Sequence, residues 1–462
     1  MKLFSALLTI ILAVGAHTSV QAQTIRQGQN VTGEFIVRFQ GAYNPQYAVA
    51  ALQAQGLQVK EVVSTTLNLY LVKGKATTQE ALGSAYRVKG VSYAQPNHYV
   101  FLRAPLNLMR GLPNDPMFNQ QWDMIEGSGI NAAAVWDITT GGKDKGGRDI
   151  VVAVVDGGFD LTHEDLRENI YVNRGEIPNN GKDDDANGFI DDVYGWNAFN
   201  NSGNITSDMH GTHVMGTIGA KGSNGRGVSG VNWNVKIMAV QGASGTTATV
   251  AKAYGYVIEQ KKLWYNSKGQ RGANIVATNS SFGVDNADCK KGEFPVWNDL
   301  YEQMGQLGIL SAAATANNNV NVDQQGDVPT GCSSEYIVSV TNTTKENAKY
   351  SQAGYGARSI DLGAPGTNIL STVPGNKYSN LTGTSMATPH VAGAIALIHA
   401  AASEQFIQKY YTNPGPAVLA LKQAMLAGVD QLPSLKGVTV SGGRLNVAKT
   451  VQILNSSAAR WR

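Results

Sequence analysis

The first part of the chain, residues 33–100, alternates short strands with short helices. Apolar and polar residues alternate where strands are predicted, and alanine, glutamine and leucine have helical spacing between them. The predicted strands cover residues 34–39, 67–72 and 91–94, and the predicted helices cover residues 46–55 and 78–86. This β-α-β-α-β order is typical of a small α+β ferredoxin-like sandwich in which one further strand is not evident from the pattern.

The pattern changes after Asp115, where the strands become continuously apolar. Residues 149–155 form an apolar run of the kind that is buried on both faces of a parallel sheet. Comparable apolar runs, predicted to be strands, follow at residues 235–240, 274–278, 308–314 and 336–340. Helices are predicted between them at residues 250–264 and 296–307. Strands that alternate with helices predict an α/β fold with a doubly wound, mostly parallel sheet. Ligands of such sheets bind at the carboxyl ends of the strands.

The first 22 residues have the layout of a secretory signal peptide. Lys2 gives a basic start, residues 3–15 are almost wholly apolar, and Val20 and Ala22 supply the small residues of a cleavage site after Ala22. A membrane anchor is the alternative, but about a dozen apolar residues fall short of the ~20 needed to span a bilayer. We therefore expect a secreted protein, extracellular or periplasmic, without a membrane span.

Composition narrows the possible functions. Of the 462 residues, 15% are charged and 42% hydrophobic, and the formal net charge is +3, which is typical of a globular protein and argues against a nucleic-acid partner. Export makes a disulfide permissible. The two cysteines, Cys289 and Cys332, are expected to form one, with a pair of buried free thiols as the alternative.

Three short segments carry candidate chemistry. Asp156 ends the first apolar strand of the α/β part, His210 opens a His-Gly-Thr-His segment, and Ser385 begins a helix of small residues. Taken singly, they could be a turn aspartate, one of a pair of metal ligands, and a helix N-cap. Together they supply the carboxylate, imidazole and hydroxyl that acyl transfer by serine requires. The helix N-terminus at Ser385 would also stabilise the negative charge that develops on a substrate oxygen.

The three segments also carry a family resemblance. The strings VVDGG (154–158), HGTHVMG (210–216) and GTSMATPHVAG (383–393) closely resemble the signature segments of the subtilisin-like serine proteases, the subtilases of peptidase family S8. Their order along the chain is that of subtilisin. The resemblance covers about residues 113–452, and the N-terminal sandwich, which ends at residues 91–97, resembles the inhibitory propeptide of this family.

This resemblance implies a serine endopeptidase in which Asp156, His210 and Ser385 form the catalytic triad and Ser385 carries an acyl-enzyme intermediate. The implied partners are protein or peptide substrates and the chain's own propeptide as an intramolecular inhibitor, and we expect a monomer. The implied organisation is that of an autoprocessed zymogen: signal peptide 1–22, inhibitory propeptide 23–102, processing linker 103–113, subtilisin-like catalytic domain 114–454 and short tail 455–462.

Two other functions compete with this interpretation. A catalytically silent subtilase fold would act as a binding module, although all three triad residues are present. A metallohydrolase would use His210 and His213, but zinc needs three or four ligands, and no Glu or third His lies at the spacing of zinc proteases. We expect His213 to be a structural neighbour of the triad.

The resemblance further implies an oxyanion hole built from an Asn side chain and the backbone amide of Ser385. In residues 313–319 we assign Asn317 to this role, with Asn318 as the neighbour one register away. Ala316 occupies a position where glycine is usual, which raises the question of whether the loop is strained.

Two further matches concern the substrate. Residues 279–283 match the family segment whose backbone pairs with the substrate as an added strand. A match at residues 328–329 puts Asp327 near the base of the primary specificity pocket, where a carboxylate would favour Lys or Arg before the scissile bond. The alternative is that Asp327 faces solvent in a loop. The residues assigned to substrate binding are Ser281, Phe282, Gly283 and Asp327.

An acidic loop at residues 179–192 predicts a cation site. Its oxygen-bearing residues alternate as at the start of an EF-hand loop, but the twelfth position is Tyr194 instead of Glu, so the loop is not an EF-hand. Ligands that are all oxygens favour structural Ca²⁺ over zinc or copper, and a solvated acidic loop is the alternative. The expected ligands are Asp183, Asp185, Asn187, Phe189 and Asp191.

Overall fold

The computed structural model describes residues 30–40, 44–64, 68–74, 78–98, 111–289 and 294–456. The chain divides into two units, residues 1–108 and residues 109–462. Parts of the predicted organisation lie outside the described residues: the signal peptide 1–22, residues 103–110 of the linker and residues 457–462 of the tail.

The first unit is a four-stranded antiparallel sheet with two helices. In chain order, its elements are β1 Asn30–Phe39, α1 Pro45–Ala54, β2 Gln58–Ser64, β3 Leu69–Lys73, α2 Thr78–Tyr86 and β4 Val91–His98. The sheet order is β2-β3-β1-β4. Alternate strand residues such as Phe35, Val37 and Tyr70 pack with Leu52 and Ala85 of the helices to form its core. The predicted α+β sandwich is confirmed.

Strand β2 is the element that the sequence pattern does not reveal. It lies at the edge of the sheet beside β3, and most of its residues are exposed. Val62 and Val63 are 39% and 47% exposed, so neither face of the strand carries the alternation that marks a half-buried strand. Its presence completes a β-α-β-β-α-β order.

The second unit is built on a sheet of nine strands among the described residues, with order β16-β17-β13-β12-β10-β8-β5-β7-β6. Its first elements are α3 Ala133–Trp136, β5 Val151–Asp156, β6 Gly195–Asn197, α4 Met209–Gly219, β7 Lys236–Gln241, α5 Thr247–Asn266, β8 Ile275–Ser280 and β9 Val284–Asp285. The next are α6 Pro295–Gln306, β10 Leu310–Ala314, α7 Val322–Gln325, β11 Asp327–Val328, β12 Ile337–Thr343, β13 Leu362–Pro365, β14 Ile369–Val373 and β15 Lys377–Leu381. The last are α8 Thr384–Ala401, α9 Glu404–Thr412, α10 Pro414–Ala427, β16 Asp430–Gln431, β17 Gly443–Arg444 and α11 Val447–Ser456.

The sheet is mostly parallel and covered by helices on both faces. Each neighbouring pair is parallel except β16 with β17. Val152 and Val154 of β5 belong to a core shared with α4 and α8, whereas Val151 and Val155 belong to a second core shared with α5 and α6. A strand buried on both faces needs apolar residues at successive positions, which explains the continuous apolar run. The predicted doubly wound fold is confirmed.

Helix α8 crosses the first of these cores. Each of its residues is buried except Ser385, which is partly exposed in the first turn. A helix that is apolar on all sides is a core helix in a protein of this kind. Among the described residues no single helix is long and apolar enough to cross a membrane, and only α8 and α9 taken together, bent by 111°, meet the criteria of length and composition.

The two cysteines are joined, as expected. Cys289 and Cys332 form a disulfide with a Cα–Cα distance of 4.9 Å across a sequence separation of 43 residues. Cys289 is buried beside Ala287 and Trp297 in the second core. The bridge therefore connects the segment after β9 to the segment after β11.

Replacing both Cys289 and Cys332 with Ser is expected to lower the free energy of unfolding by about 2–4 kcal/mol, because the bridge restricts a long loop in the unfolded chain. Urea unfolding followed by tryptophan fluorescence measures this change. Wild-type protein in reducing agent is the matched control and should unfold at the midpoint of the double variant. Equal midpoints for oxidised wild type and the double variant would contradict the expectation.

Candidate active site

Three neighbouring strands end together and bring Asp156, the predicted substrate-binding segment and the predicted oxyanion loop to one edge of the sheet. Val155 of β5 pairs with Ser280 of β8, and Ser280 pairs with Ala313 of β10. Asp156 comes directly after Val155, and Ser281 comes directly after Ser280. Their backbones are therefore neighbours at the ends of adjacent strands, which lie about 4.8 Å apart in a sheet. The loop that follows β10 leaves the sheet at the same edge.

His210 is held against Asp156 from the first turn of α4. Its Nδ1 lies 2.9 Å from Oδ1 and 3.1 Å from Oδ2 of Asp156, whose side chain is buried. Asp208 caps the helix by accepting hydrogen bonds from the backbone amides of His210 (2.8 Å) and Gly211 (3.1 Å). Burial alone would lower the pKa of His210, but the hydrogen bond and charge of Asp156, with a smaller contribution from Asp208, raise it above its ordinary value.

Ser385 is anchored to the end of β8. Its hydroxyl donates to the backbone carbonyl of Ser281 (3.2 Å), and the hydroxyl of Ser281 donates back to the carbonyl of Ser385 (2.9 Å). The amide of Asn279 in turn donates to the Ser281 hydroxyl (2.9 Å). Because Ser385 is in the first turn of α8, its backbone N–H has no acceptor within the helix.

The two candidate oxyanion residues point to different partners. Asn317 accepts a hydrogen bond from the backbone N–H of Thr384 through its Oδ1 (2.9 Å), which leaves its Nδ2 group as a donor beside the start of α8. Asn318 instead donates from Nδ2 to Asp285 of β9 (3.2 Å). The left-handed backbone conformation in this loop belongs to Asn319 (φ 56°), and not to Ala316, so alanine at that position needs no strained φ.

The predicted substrate-binding segment, residues 281–283, leads into a short two-stranded ribbon. Ser281 is buried, Phe282 is half-buried against the rings of Tyr254 and Trp297, and Gly283 is exposed. The ribbon pairs β9 with β11. A Cβ atom on Gly283 would lie 2.4 Å from the carbonyl oxygen of Val328, so only glycine allows the two segments to approach so closely.

Asp327 is buried in β11, so the alternative in which it faces solvent is wrong. Asp327 is only 1% exposed, and its carboxylate accepts a hydrogen bond from the hydroxyl of Thr330. It pairs across the ribbon with Asp285. Burial, reinforced by the charge of Asp285, raises the pKa of Asp327 to about 7, even though the Thr330 hydrogen bond acts in the opposite direction.

The acidic loop brings three carboxylates together. Oxygen atoms of Glu176, Asp183 and Asp185 lie within 4.8 Å of one another, a set that suits a cation with oxygen ligands. Asp185 accepts from the amide of Asn173 at one oxygen (3.1 Å), while its buried Oδ1 has no partner among the described residues. A buried carboxylate oxygen without a donor is what a bound cation would satisfy, so the residues present fit Ca²⁺.

The other expected side-chain ligands, Asp191 and Asn187, form hydrogen bonds within the loop. Asp191 accepts hydrogen bonds from the backbone amides of Asn180 (3.1 Å) and Gly181 (3.0 Å). Asn187 accepts from the amide of Phe189 (2.7 Å) and donates to Asp192. Asp183 accepts comparable hydrogen bonds from the backbone amides of Asn187 (3.0 Å) and Gly188 (2.8 Å), so such bonds do not exclude a ligand. The roles of Asp191, Asn187 and Phe189 as ligands stay predictions.

Glu176 is the member that the sequence analysis missed. It precedes the acidic run by seven residues, and its carboxylate accepts from the backbone amides of Asp184 (2.9 Å) and Asp191 (3.0 Å). It is also buried, which is unusual for a glutamate that has no cationic partner among the described residues. Because Glu176 lies outside the alternating pattern of acidic residues, the spacing of that pattern could not predict it.

His213, the second histidine of the His-Gly-Thr-His segment, packs inside the fold. His213 is fully buried and its Nε2–H faces the carbonyls of Ile369 (2.9 Å) and Ser379 (3.1 Å). Burial lowers its pKa to about 4. The group of three potential ligands found in the described residues is acidic and contains no histidine. The structure therefore gives the metallohydrolase alternative no ligand set among those residues.

The chain is similar to known proteases along most of its length. Residues 147–426 match the sequence model of the subtilase family, and residues 17–97 match that of the fervidolysin N-terminal prodomain. Over 326 residues the chain is 33% identical to subtilisin-like protease 1 of Plasmodium falciparum (isolate 3D7), an alignment that covers 65% of this chain and 43% of that protein. The chain thus spans less than half the length of this relative.

Bacterial relatives match over comparable regions. The major intracellular serine protease of Bacillus subtilis (strain 168) is 31% identical, covering 61% of this chain and 76% of that protein. The extracellular basic protease of Dichelobacter nodosus is 30% identical in an alignment that covers 77% of this chain and 59% of that protein. Among solved structures, a protease from Pseudoalteromonas arctica PAMC 21717 is similar with a TM-score of 0.52 and 25% identity, covering 74% of this chain and 99% of that one.

Asp327→Asn is expected to stabilise the protein at pH 8 by about 2–4 kcal/mol, because it removes a buried charge and keeps the shape of the side chain. The folded-state pKa of about 7 lies above the unfolded value of 3.8, so the charge costs stability increasingly as pH rises from about 4 to 7. Urea unfolding at pH 4.5 and pH 8, with Ser385→Ala in every protein, should show the advantage only at the higher pH.

The exposed Asp299 provides the matched control for this measurement. Asp299→Asn should change stability little at either pH, because a single charge on an exposed side chain contributes little to stability. An advantage of Asp327→Asn that is the same at pH 4.5 and pH 8 would show that the carboxyl does not titrate between them.

Proposed function

The chain belongs to the subtilase family, and we propose that it is a serine endopeptidase that hydrolyses peptide bonds through an Asp156-His210-Ser385 triad. The observation that carries this proposal is the hydrogen bond of 2.9 Å between His210 and Asp156, made at the sheet edge where Ser385 begins α8. A lone residue of each type has many uses, but this arrangement supplies a base, its orienting carboxylate and a nucleophile together.

In the proposed reaction, His210 removes the proton from the Ser385 hydroxyl as the oxygen bonds to the substrate carbonyl carbon. The imidazolium then gives this proton to the leaving amine as the C–N bond breaks, and water hydrolyses the acyl-enzyme by the same steps in reverse. Asp156 holds the Nδ1–H tautomer, so Nε2 is the basic nitrogen. Rotation about the Cα–Cβ bond of Ser385 turns its hydroxyl from Ser281 toward the base.

The substrate oxygen becomes negatively charged during this attack, and two donors are available to stabilise it. One is the backbone N–H of Ser385 at the N-terminus of α8, and the other is the Nδ2 group of Asn317, which is oriented by Thr384. Loss of an Asn donor of this kind costs about 10²–10³ in turnover, a magnitude known from subtilisin.

Substrate binding is proposed along residues 281–283, whose backbone would pair with an extended peptide. Asp327 lies one strand away in β11 and has no cationic partner among the described residues, so a Lys or Arg side chain of the substrate would neutralise it. This supports a preference for a basic residue before the scissile bond. Arg103 and Arg110 in the linker suit such a preference.

Synthesis as an exported zymogen is the proposed route to the active enzyme. The first unit corresponds to the prodomain match at residues 17–97, which supports a role as an intramolecular inhibitor. Extracellular proteases are among the relatives, although one relative is intracellular. The signal-peptide pattern of residues 1–22 is what favours export for this chain.

A structural calcium ion is proposed at Glu176, Asp183 and Asp185. Three carboxylates so close together repel one another unless a cation lies between them. The loop that carries them packs against the second core through Phe189, whose ring contacts Trp196 (4.9 Å between centroids). Calcium would therefore stabilise the fold and take no part in the reaction.

Ser385→Ala is expected to abolish self-processing, casein hydrolysis and labelling by a fluorophosphonate probe, because no other residue can form the acyl-enzyme. Mass spectrometry of wild type and variant incubated with calcium measures all three, and the new N-terminus shows whether a basic residue precedes the cleaved bond. If wild type also stays full-length and unlabelled, the silent binding module becomes the better interpretation of the fold.

Asp185→Asn is expected to remove the calcium-dependent part of the stability. At a calcium concentration 100-fold above Kd, a bound ion adds about 2.7 kcal/mol to the free energy of unfolding. Thermal unfolding of Ser385→Ala protein with calcium or chelator measures the difference, and Asp299→Asn is the control that should keep it. A chelator effect that survives both Asp185→Asn and Glu176→Gln would refute the assignment of this loop.

A further inference from the structure

A second cleft lies at the edge of the sheet opposite the candidate active site. Its walls include Val151 and Lys236, where β5 and β7 begin, and Asn274, which precedes β8. Asp156 is at the other end of β5. The cleft has a volume of about 650 Å³, which is within the range of small-molecule sites. None of the residues proposed to act in peptide hydrolysis lines it.

Basic side chains dominate this cleft. Among the described residues that line the cleft, six are basic and one, Asp149, is acidic. The six are Lys143, Arg148, Arg174, Lys236, Lys268 and Arg271. This concentration is unusual in a chain whose overall formal net charge is only +3.

Carboxylates neutralise only part of this charge. Lys143 pairs with Asp149 (2.6 Å), and Arg148 lies 3.8 Å from Asp144. The side chains of Arg174 and Lys268 are exposed and form no ion pair or hydrogen bond within the described parts of the chain.

Lys236 and Arg271 are held by backbone oxygens. Lys236 donates to the carbonyl of Glu168 (2.6 Å), and Arg271 donates to the carbonyl of Asp185 (2.6 Å). A carbonyl oxygen orients a cation without cancelling its charge. Four of the six basic groups thus face the cleft without a carboxylate partner in the described structure.

Lys236 is a partly buried member of this group. Burial is the main cause that lowers the pKa of Lys236 below its ordinary value, and the charges of Lys221 and Arg174 act in the same direction. Asp149 and Glu168 oppose the shift but do not overcome it. An anion in the cleft would relieve the repulsion among these cations.

Glycine-containing turns bring the basic groups to the cleft. The turn at residues 268–272 contains Gly269 and Gly272, both with positive φ, and a Cβ on Gly272 would lie 2.3 Å from the carbonyl oxygen of Gln260. The amides of Gly269 and Arg271 bond within this turn, to Trp264 and Ser267. These two amides are therefore not available to a ligand.

We propose that this cleft binds a multivalent oxyanion, a compound that carries two or more phosphate or sulfate groups. Arginine presents a planar fork that matches two oxygens of such a group, and lysine supplies compact charges around it. Three arginines and three lysines around about 650 Å³ suit several oxyanion groups on one small molecule. Because Arg271 also bonds the carbonyl of Asp185, the ligand site adjoins the acidic loop through one side chain.

Isothermal titration of Ser385→Ala protein with sucrose octasulfate, and separately with inorganic tripolyphosphate, tests this proposal. All solutions are held at the same free calcium concentration, and sucrose is the uncharged control. We expect saturable binding of one or both anions, weakened by added NaCl because salt screens the charges. The anion that binds more tightly identifies the sulfate or the phosphate class.

Arg174→Gln combined with Lys268→Gln is expected to raise Kd about tenfold or more, since both cations without a partner in the described residues are lost to the anion. Lys252→Gln combined with Lys345→Gln removes the same charge from exposed positions outside the cleft and should change Kd less than about twofold. Saturable binding by neither anion, or equal weakening by both double variants, would overturn the proposal. The titration measures no protease activity, so its outcome is independent of the proposed function.

Discussion

Parallel pairing of β5, β8 and β10 in one register is the constraint that the candidate active site depends on, since it determines where three loops leave the sheet. Val155, Ser280 and Ala313 form a row across these strands. The row is buried on both faces by two cores, so a shift in register would move apolar side chains out of their packing. The large hydrophobic cores therefore hold the polar groups of the site in place.

The polar groups at this edge also stabilise one another. Asp156 is buried with His210 as its partner, and Asn317 and Ser281 each bond to the first turn of α8. Buried polar atoms are costly unless hydrogen-bonded, so these contacts restrict the side chains to few orientations. The same partners that satisfy the groups in the free protein orient them for chemistry.

The two edges of the sheet have opposite character. At the carboxyl ends, the N-terminus of α8 and nearby amide donors would stabilise the negative charge that develops at Ser385 in the proposed reaction. At the amino ends, flexible cationic side chains such as Arg174 and Lys268 line an open cleft. The first arrangement is rigid because buried elements hold it, and the second depends on side chains exposed to solvent.

The two folds, the order of most strands and helices, and the three candidate catalytic segments could all be predicted from the amino-acid sequence. Hydrophobic periodicity and signature strings are properties of neighbouring residues, so they need no knowledge of distant contacts. Strand β2 was not predicted, because an exposed edge strand shows little alternation of apolar and polar residues.

Three features could be established only from the folded chain: the burial of Asp327, the different partners of Asn317 and Asn318, and the approach of Glu176 to Asp185. The basic cleft likewise exists only because turns separated by more than a hundred residues converge at the start of the parallel strands. Each of these features depends on contacts between segments far apart in the chain, which no local pattern encodes.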